Sequence, residues 1–215
     1  MLDNYYLVQQ TIRQIREDMP QGYYGQLPKL SSSDMVGYPR IFDLAWKVVS
    51  QPLYHVNIDQ LTCFVRAYQQ VSPSVMRGLW VFPTMLRIGI LKSLTQAVAQ
   101  AMGIQDDNDK ISNNEIPSDH LADESNIANC ILNFRALAIQ DWKAFFENIS
   151  RVEQVLRSDP TEVYARMDFK TRDRYRKVIE ELAKMTGKEE ENVAQEAVWL
   201  AEGEFQRGGG SPGQE

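Results

Sequence analysis

The chain has 215 residues, 43% of them hydrophobic and 24% charged, the balance of an ordinary water-soluble globular protein with length for one sizeable core or two small ones. A formal net charge of -6 argues against a protein that grips a nucleic-acid backbone, because such proteins carry a basic face. Two cysteines, Cys63 and Cys130, are too few for a disulfide scaffold and stand in no metal-ligand spacing, which fits a reducing compartment. The opening MLDNYY lacks the basic region and apolar run of a signal peptide. The most apolar stretch, Val75 to Val98, is interrupted by Arg77, Arg87 and Lys92, whereas a membrane span needs about 20 nearly uncharged residues. No membrane span is expected.

Taken in order, Asp3 to Asp18 reads as an amphipathic helix with Tyr5, Val8, Ile12 and Ile15 on one side. Pro20 and Gly22 end it, and Tyr23 to Gly37 is turn-rich. Pro39 opens the next helix, whose buried stripe is Ile41, Phe42, Ala45, Val48 and Val49. Asp59 is the expected cap of a third helix that buries Leu61, Phe64, Val65 and Tyr68. Ser72-Pro73 is again a cap followed by proline, and the helix after it must kink or restart at Pro83. Leu86, Ile90, Leu91, Leu94 and Val98 then keep a helical spacing to Met102.

The segment 103–120 (GIQDDNDKISNNEIPSDH) is polar and acidic and reads as the internal boundary. Beyond it, Ile127, Cys130, Ile131, Phe134 and Ala138 mark a helix. Asp141 caps another with Trp142, Phe145, Phe146 and Ile149 inward, and Ser150 caps a short one holding Val152, Val155 and Leu156. Asp159-Pro160 with Glu162 reads as a cap, first position and capping-box acid. A further helix starts at Thr171, buries Tyr175, Val178, Ile179 and Leu182, and stops at Gly187. The last opens with Glu189, Glu190 and Glu191 and turns Val193, Ala197 and Leu200 inward. The expected fold is all-α, a multi-helix, bundle-like assembly with short loops and no sheet. Its expected parts are a helical subdomain 1–102, the loop 103–120, a second helical subdomain 121–202 and a flexible tail 203–215.

The residues with chemical promise crowd into one joint: Tyr164, Arg166, Asp168, Arg172, Asp173, Arg174 and Tyr175. Its arginines can grip a phosphate or carboxylate in a forked geometry, so one reading is a docking or ligand-contact patch. The other is a helix–helix corner knit by its own Arg–Asp pairs, with Asp173–Lys177 and Glu180–Lys184 at solvated i,i+4 spacing. Asp106-Asp107-Asn108-Asp109 resembles a metal-binding acidic run but has no preceding strand, and His55 and His120 are isolated, so no metal is expected. Trp46, Trp80, Trp142 and Trp199 fall in helix-period apolar patterns and are expected in the core. No nucleophile elbow, phosphate-cradling loop or dinucleotide fingerprint occurs, so no catalytic residue and no cofactor are expected.

Three blocks carry a family resemblance. The string VYARMDFKTRDRYRKVIEELAKMTG (163–187), the run from Leu2-Asp3-Asn4-Tyr5-Tyr6 to Gln26-Leu27-Pro28-Lys29-Leu30, and the run from Gly37-Tyr38-Pro39-Arg40 to Leu94 resemble, in order, the region ahead of the membrane and glucosyltransferase parts of cyclic β-1,2-glucan synthases. The last run includes Phe64-Val65-Arg66-Ala67-Tyr68-Gln69 and Leu79-Trp80-Val81-Phe82-Pro83-Thr84-Met85-Leu86-Arg87. Where that family carries a longer helical stretch, this chain has the short segment 103–120. The resemblance implies a non-catalytic helical portion of a UDP-glucose-dependent glucosyltransferase, on the cytoplasmic side of a bacterial inner membrane and soluble as an isolated piece. It implies as partners the remainder of the synthase, its transferase and membrane domains, with β-1,2-glucan as a candidate ligand and no nucleic acid. The rival expectation is a helical interaction or scaffold module unrelated to sugar chemistry.

Overall fold

The computed structural model describes residues 2–31, 35–51, 54–104 and 120–207. Over those residues the chain is all-α, with ten α-helices, one 3-10 turn at Tyr24–Gln26 and an isolated bridge between Lys29 and Pro39. The helices are α1 (Leu2–Asp18), α2 (Arg40–Val49), α3 (Ile58–Val71), α4 (Met76–Ala101) and α5 (His120–Ala138), followed by α6 (Trp142–Ile149), α7 (Arg151–Leu156), α8 (Val163–Arg166), α9 (Phe169–Thr186) and α10 (Glu190–Arg207). Of the expected loop 103–120, residues 105–119 lie outside the described residues, and with them the Asp106–Asp109 run. Of the expected tail, 203–207 close α10 and 208–215 lie outside the described residues.

The chain forms two compact units, each drawn from two stretches of sequence: Met1–Leu61 with Trp80–Gln140, and Thr62–Leu79 with Asp141–Glu215. In the first, α2 buries Ile41, Phe42, Leu44, Ala45, Val48 and Val49, the expected stripe plus Leu44. Phe82, Met85, Leu86 and Ile90 of α4 and Phe134 and Leu137 of α5 join that core. Each such side chain contributes roughly 1.5–3 kcal/mol on leaving water. Gly89 lets α4 come close to α2, since a Cβ placed there would meet Val49 Cγ2 at 2.6 Å. Phe42 and Trp46 stack one turn apart, and the Lys92 ammonium lies 4.5 Å from the Trp46 ring centre. Asn133 of α5 accepts from Val56 N at 2.8 Å and donates to Tyr54 O at 2.6 Å, pinning the segment that leads into α3.

Several starts differ from expectation for identifiable reasons. Asn57, not Asp59, caps α3: its Oδ1 accepts from the N–H groups of Asp59 and Gln60, both at 3.0 Å. Helix α4 runs unbroken through Pro83, so the proline restarts nothing; Pro83 and its neighbours Phe82 and Thr84 are buried. That same helix begins at Met76, whose N–H is taken by the Glu190 carboxylate at 2.7 Å, 114 residues further along the chain. Burial pushes the Glu190 carboxyl above its ordinary range, and the Met76 N–H opposes that shift. The expected inward positions Phe64, Val98, Ala138 and Leu200 are exposed, as is Trp199 at 70%. Among the described residues no helix is long and apolar enough to cross a membrane.

Two glycines test the packing in opposite directions. Gly89→Ala is expected to destabilise by about 1–3 kcal/mol, because overpacking at Val49 outweighs the better helix propensity of alanine. Gly203→Ala in α10, where a Cβ meets nothing within 4 Å, is expected to stabilise by about 0.5–1 kcal/mol. Urea unfolding monitored by circular dichroism gives both signs, and equal signs at the two sites contradict this account of α2 and α4.

Candidate functional site

The second unit is built around one buried carboxylate. Ser150 caps α7, its Oγ accepting from Glu153 N at 3.2 Å. In a capping box, a glutamate at that spacing reaches back to the cap residue's own N–H. Here the Ser150 N–H already donates to Phe146 O at 2.9 Å, as the last bond of α6, so the Glu153 side chain turns inward instead. Glu153 has no solvent exposure. Three donors reach it at 2.7 Å: Tyr164 Oη and Arg176 Nη1 on Oε2, and Arg157 Nε on Oε1.

Glu147 of α6 extends the cluster. It accepts from Arg172 Nη2 at 2.6 Å and Nε at 3.1 Å, and from Arg157 Nη2 at 2.9 Å. Arg172 also donates to Met167 O and keeps its Nε 3.3 Å from Glu153. The buried Arg176 guanidinium lies 4.7 Å from the Phe169 ring centre and 5.3 Å from that of Phe146, within cation–π range. Its Nε and Nη2 make no hydrogen bond, although Asp173 Oδ1 stands 3.6 Å from Nη2. Three guanidiniums (157, 172, 176) thus face three carboxylates (147, 153, 173). Helix α3 closes α6 from outside: Arg66 donates twice to Asn148 O, at 3.0 and 2.8 Å, and Gln69 to Ile149 O at 2.7 Å, supplying partners to last-turn carbonyls that a helix leaves open.

The electrostatics follow from this geometry. Burial pushes the Tyr164 phenol well above its ordinary range, reinforced by its hydrogen bond to Glu153 and by that carboxylate's charge. For Arg172 burial works against the charge, but the hydrogen-bonded Glu147 outweighs it and holds the cation more firmly. Asp159 is pushed up by burial yet ends below its ordinary range, because the hydroxyl and N–H of Thr161 and the N–H groups of Tyr164 and Val163 all donate to it. Asp159 therefore does serve the start of α8, but Pro160 is not its first residue. Glu162 is the residue before the helix, with a left-handed φ of 55°, and its carboxylate pairs with Arg166 at 3.0 Å.

The residues expected to form one patch separate. Tyr164 and Arg172 belong to the buried cluster, with Asp173 at its edge, where it also holds Lys177 at 2.9 Å. Asp168 caps α9, which starts at Phe169, two residues before the expected start at Thr171; hydrogen bonds from the Thr171 hydroxyl and N–H keep the Asp168 carboxyl low. Arg166 and Arg174 are exposed. Tyr175 is half exposed and meets Tyr164 edge-on, with ring centres 6.0 Å apart. The corner is indeed knit by ion pairs, but chiefly by Arg–Glu pairs rather than Arg–Asp ones.

Sequence reasoning passed over Glu147, Glu153, Arg157 and Arg176. The signals for the two central ones were present: an acid three residues after a capping serine and inside an apolar run, and Arg172 and Arg176 one turn apart. Among the described residues no group of three or more His, Cys, Asp or Glu is placed to hold a metal, and His55 is exposed.

Removing Glu153 tests the cluster. Glu153→Ala takes from the buried Arg176 its one hydrogen-bonded carboxylate, leaving Glu147 and Asp173 at 3.6 Å, and is expected to cost about 3–5 kcal/mol in urea unfolding, whereas Tyr164→Phe should cost about 1–3 kcal/mol. The pH dependence has a definite sign. A phenol whose folded pKa is raised stabilises fully below the unfolded value near 10, and that contribution is lost as pH rises beyond it. The alkaline fall in stability above about pH 10 should therefore be shallower in Tyr164→Phe than in the parent. Superimposable pH profiles count against the Glu153 contact; Tyr54, also raised by burial, contributes equally to both curves.

No family model matches the chain. It is 24% identical, over an alignment of 269 residues, to the cyclic beta-(1,2)-glucan synthase NdvB of Rhizobium meliloti (strain 1021). That alignment covers 94% of this chain and 9% of the relative. It is longer than the chain's own 215 residues, so the relative carries residues in this region that the chain lacks. Nearly end to end, this chain is distantly similar to a small part of a cyclic β-(1,2)-glucan synthase.

Proposed function

We propose that this chain is a non-catalytic helical domain of a cyclic β-1,2-glucan synthase, supporting or regulating the adjacent UDP-glucose-dependent transferase domain on the cytoplasmic side of a bacterial inner membrane. The likeness of 94% of the chain to 9% of such a synthase is the observation that carries this reading. A supporting role is also favoured by what the cluster's side chains already do. Every oxygen of Glu153 and Glu147 is hydrogen-bonded and the Tyr164 proton is held tightly, a poor arrangement for moving protons during chemistry. The remainder of the synthase is the main partner in this reading. Of the residues expected to form its contact patch, Tyr164, Arg166, Asp168, Arg172, Asp173, Arg174 and Tyr175, the exposed Arg166, Arg174 and Tyr175 offer cations and an aromatic ring at the surface, while Tyr164 and Arg172 hold the corner from within. A second reading, a helical interaction module unrelated to sugar chemistry, is favoured by the apolar residues α9 leaves in water: Tyr175, Val178, Leu182 and Met185.

Titration of the chain with linear β-1,2-glucan and with UDP-glucose separates the two readings. Calorimetry shows binding, and amide exchange shows where. Glucan-dependent protection across Tyr164 to Tyr175 is the outcome expected of a substrate-guiding domain. Heat and protection absent with both ligands, in a sample with an intact helical spectrum, would remove sugar contact from the role and leave the scaffold.

A further inference from the structure

The apolar arc of α9 is wider than the core that covers it. Arg176, Ile179 and Ala183 are its buried residues. At 100° per residue, Tyr175, Val178, Leu182 and Met185 lie along a neighbouring line on the same helix, at i, i+3, i+7 and i+10. They are 49%, 52%, 42% and 82% exposed. A line of ten residues rises about 15 Å, close to three helical turns. Scattered apolar residues on a surface need no explanation, but an uninterrupted line at helical spacing marks an interaction site.

Charge says what covers it. Beside the open line runs a second one, Lys170, Arg174, Lys177, Glu181 and Lys184, at i, i+4, i+7, i+11 and i+14, all exposed. It carries four cations, of which Lys177 already pairs with Asp173, and one anion on a chain whose formal charge is -6. An anionic lipid surface, far broader than the roughly 10–12 Å width of a single helix, fits this poorly, since it would also meet α10, which packs on α9 and exposes Glu196, Glu202 and Glu204. A second copy of α9 fits no better, because an antiparallel two-fold pairing sets one row of cations against its equivalent.

We infer that the open face of α9 is a docking site for an acidic amphipathic helix of about three turns, its apolar side on Tyr175, Val178, Leu182 and Met185 and its carboxylates on the row of cations. This deepens the interaction-module reading and needs no sugar, so glucan titration leaves it untouched. The mode is the familiar laying of one helix along the apolar face of another, with charge setting the choice of partner.

The test uses two fluorescein-labelled 14-residue peptides, each with leucine at i, i+3, i+7 and i+10. One carries glutamate on both flanks; the other has lysine at the same places. Fluorescence anisotropy with the whole chain should show the glutamate peptide binding, more weakly at high salt, and the lysine peptide not binding. Leu182→Glu should weaken binding at least about tenfold, and the triple variant Arg174→Glu, Lys177→Glu, Lys184→Glu should invert the preference. These side chains are exposed, and an unchanged helical spectrum confirms that each variant folds. Equal binding of both peptides, binding of neither, attachment only to phosphatidylglycerol vesicles, or self-association in sedimentation would each overturn the proposal.

Discussion

The fold of the second unit depends on how the Glu153 charge is satisfied. Taking a carboxylate wholly out of water costs several kcal/mol, and its attraction to buried cations offsets that only when geometry and hydrogen bonding are good. Here the requirement is met from three places at once: Arg157 just past the end of α7, Tyr164 on α8 and Arg176 on α9. Each donor is useful only if its helix sits at the right rotation. The carboxylate therefore does more than tie segments together. It selects which side of α9 faces inward, and through Tyr164 it seats a helix only four residues long.

That choice explains where the sequence was legible. The all-α class and most helices follow from apolar periodicity, and Asp141, Ser150 and Gly187 act as the residue types predict, Gly187 with a left-handed φ of 69°. In α9, periodicity pointed inward with Tyr175, Val178, Ile179 and Leu182, and of these only Ile179 is buried. Val178 and Leu182 are the more apolar, yet the line holding Arg176 is buried, because an arginine that neutralises an interior glutamate outranks two aliphatic side chains that can stay in water. No local pattern reveals this, since the partner lies 23 residues away. Asn57 replaced Asp59 as a cap for a simpler reason: two suitable residues stood two positions apart, and composition does not choose between them.

Of the expected site, the sequence located the crowded joint but misjudged how its members are used. Tyr164 and Arg172 are spent on internal partners, as the corner reading allowed. What remains at the surface is a ring leaning on Tyr164 and a set of exposed cations, a surface suited to recognition more than to reaction.

The two units are each assembled from separated stretches, and this bears on how the protein can be born. The first cannot close until residues up to about 140 have been made, and the second draws 62–79 together with a segment that starts 62 residues after 79. The bond from Met76 to Glu190 spans 114 residues. During synthesis the start of α4 must therefore leave its Met76 N–H to water until the glutamate that completes it leaves the ribosome. Contacts so distant in sequence slow folding and prolong the exposure of apolar surface. Neither unit corresponds to a continuous stretch that a single cut could release.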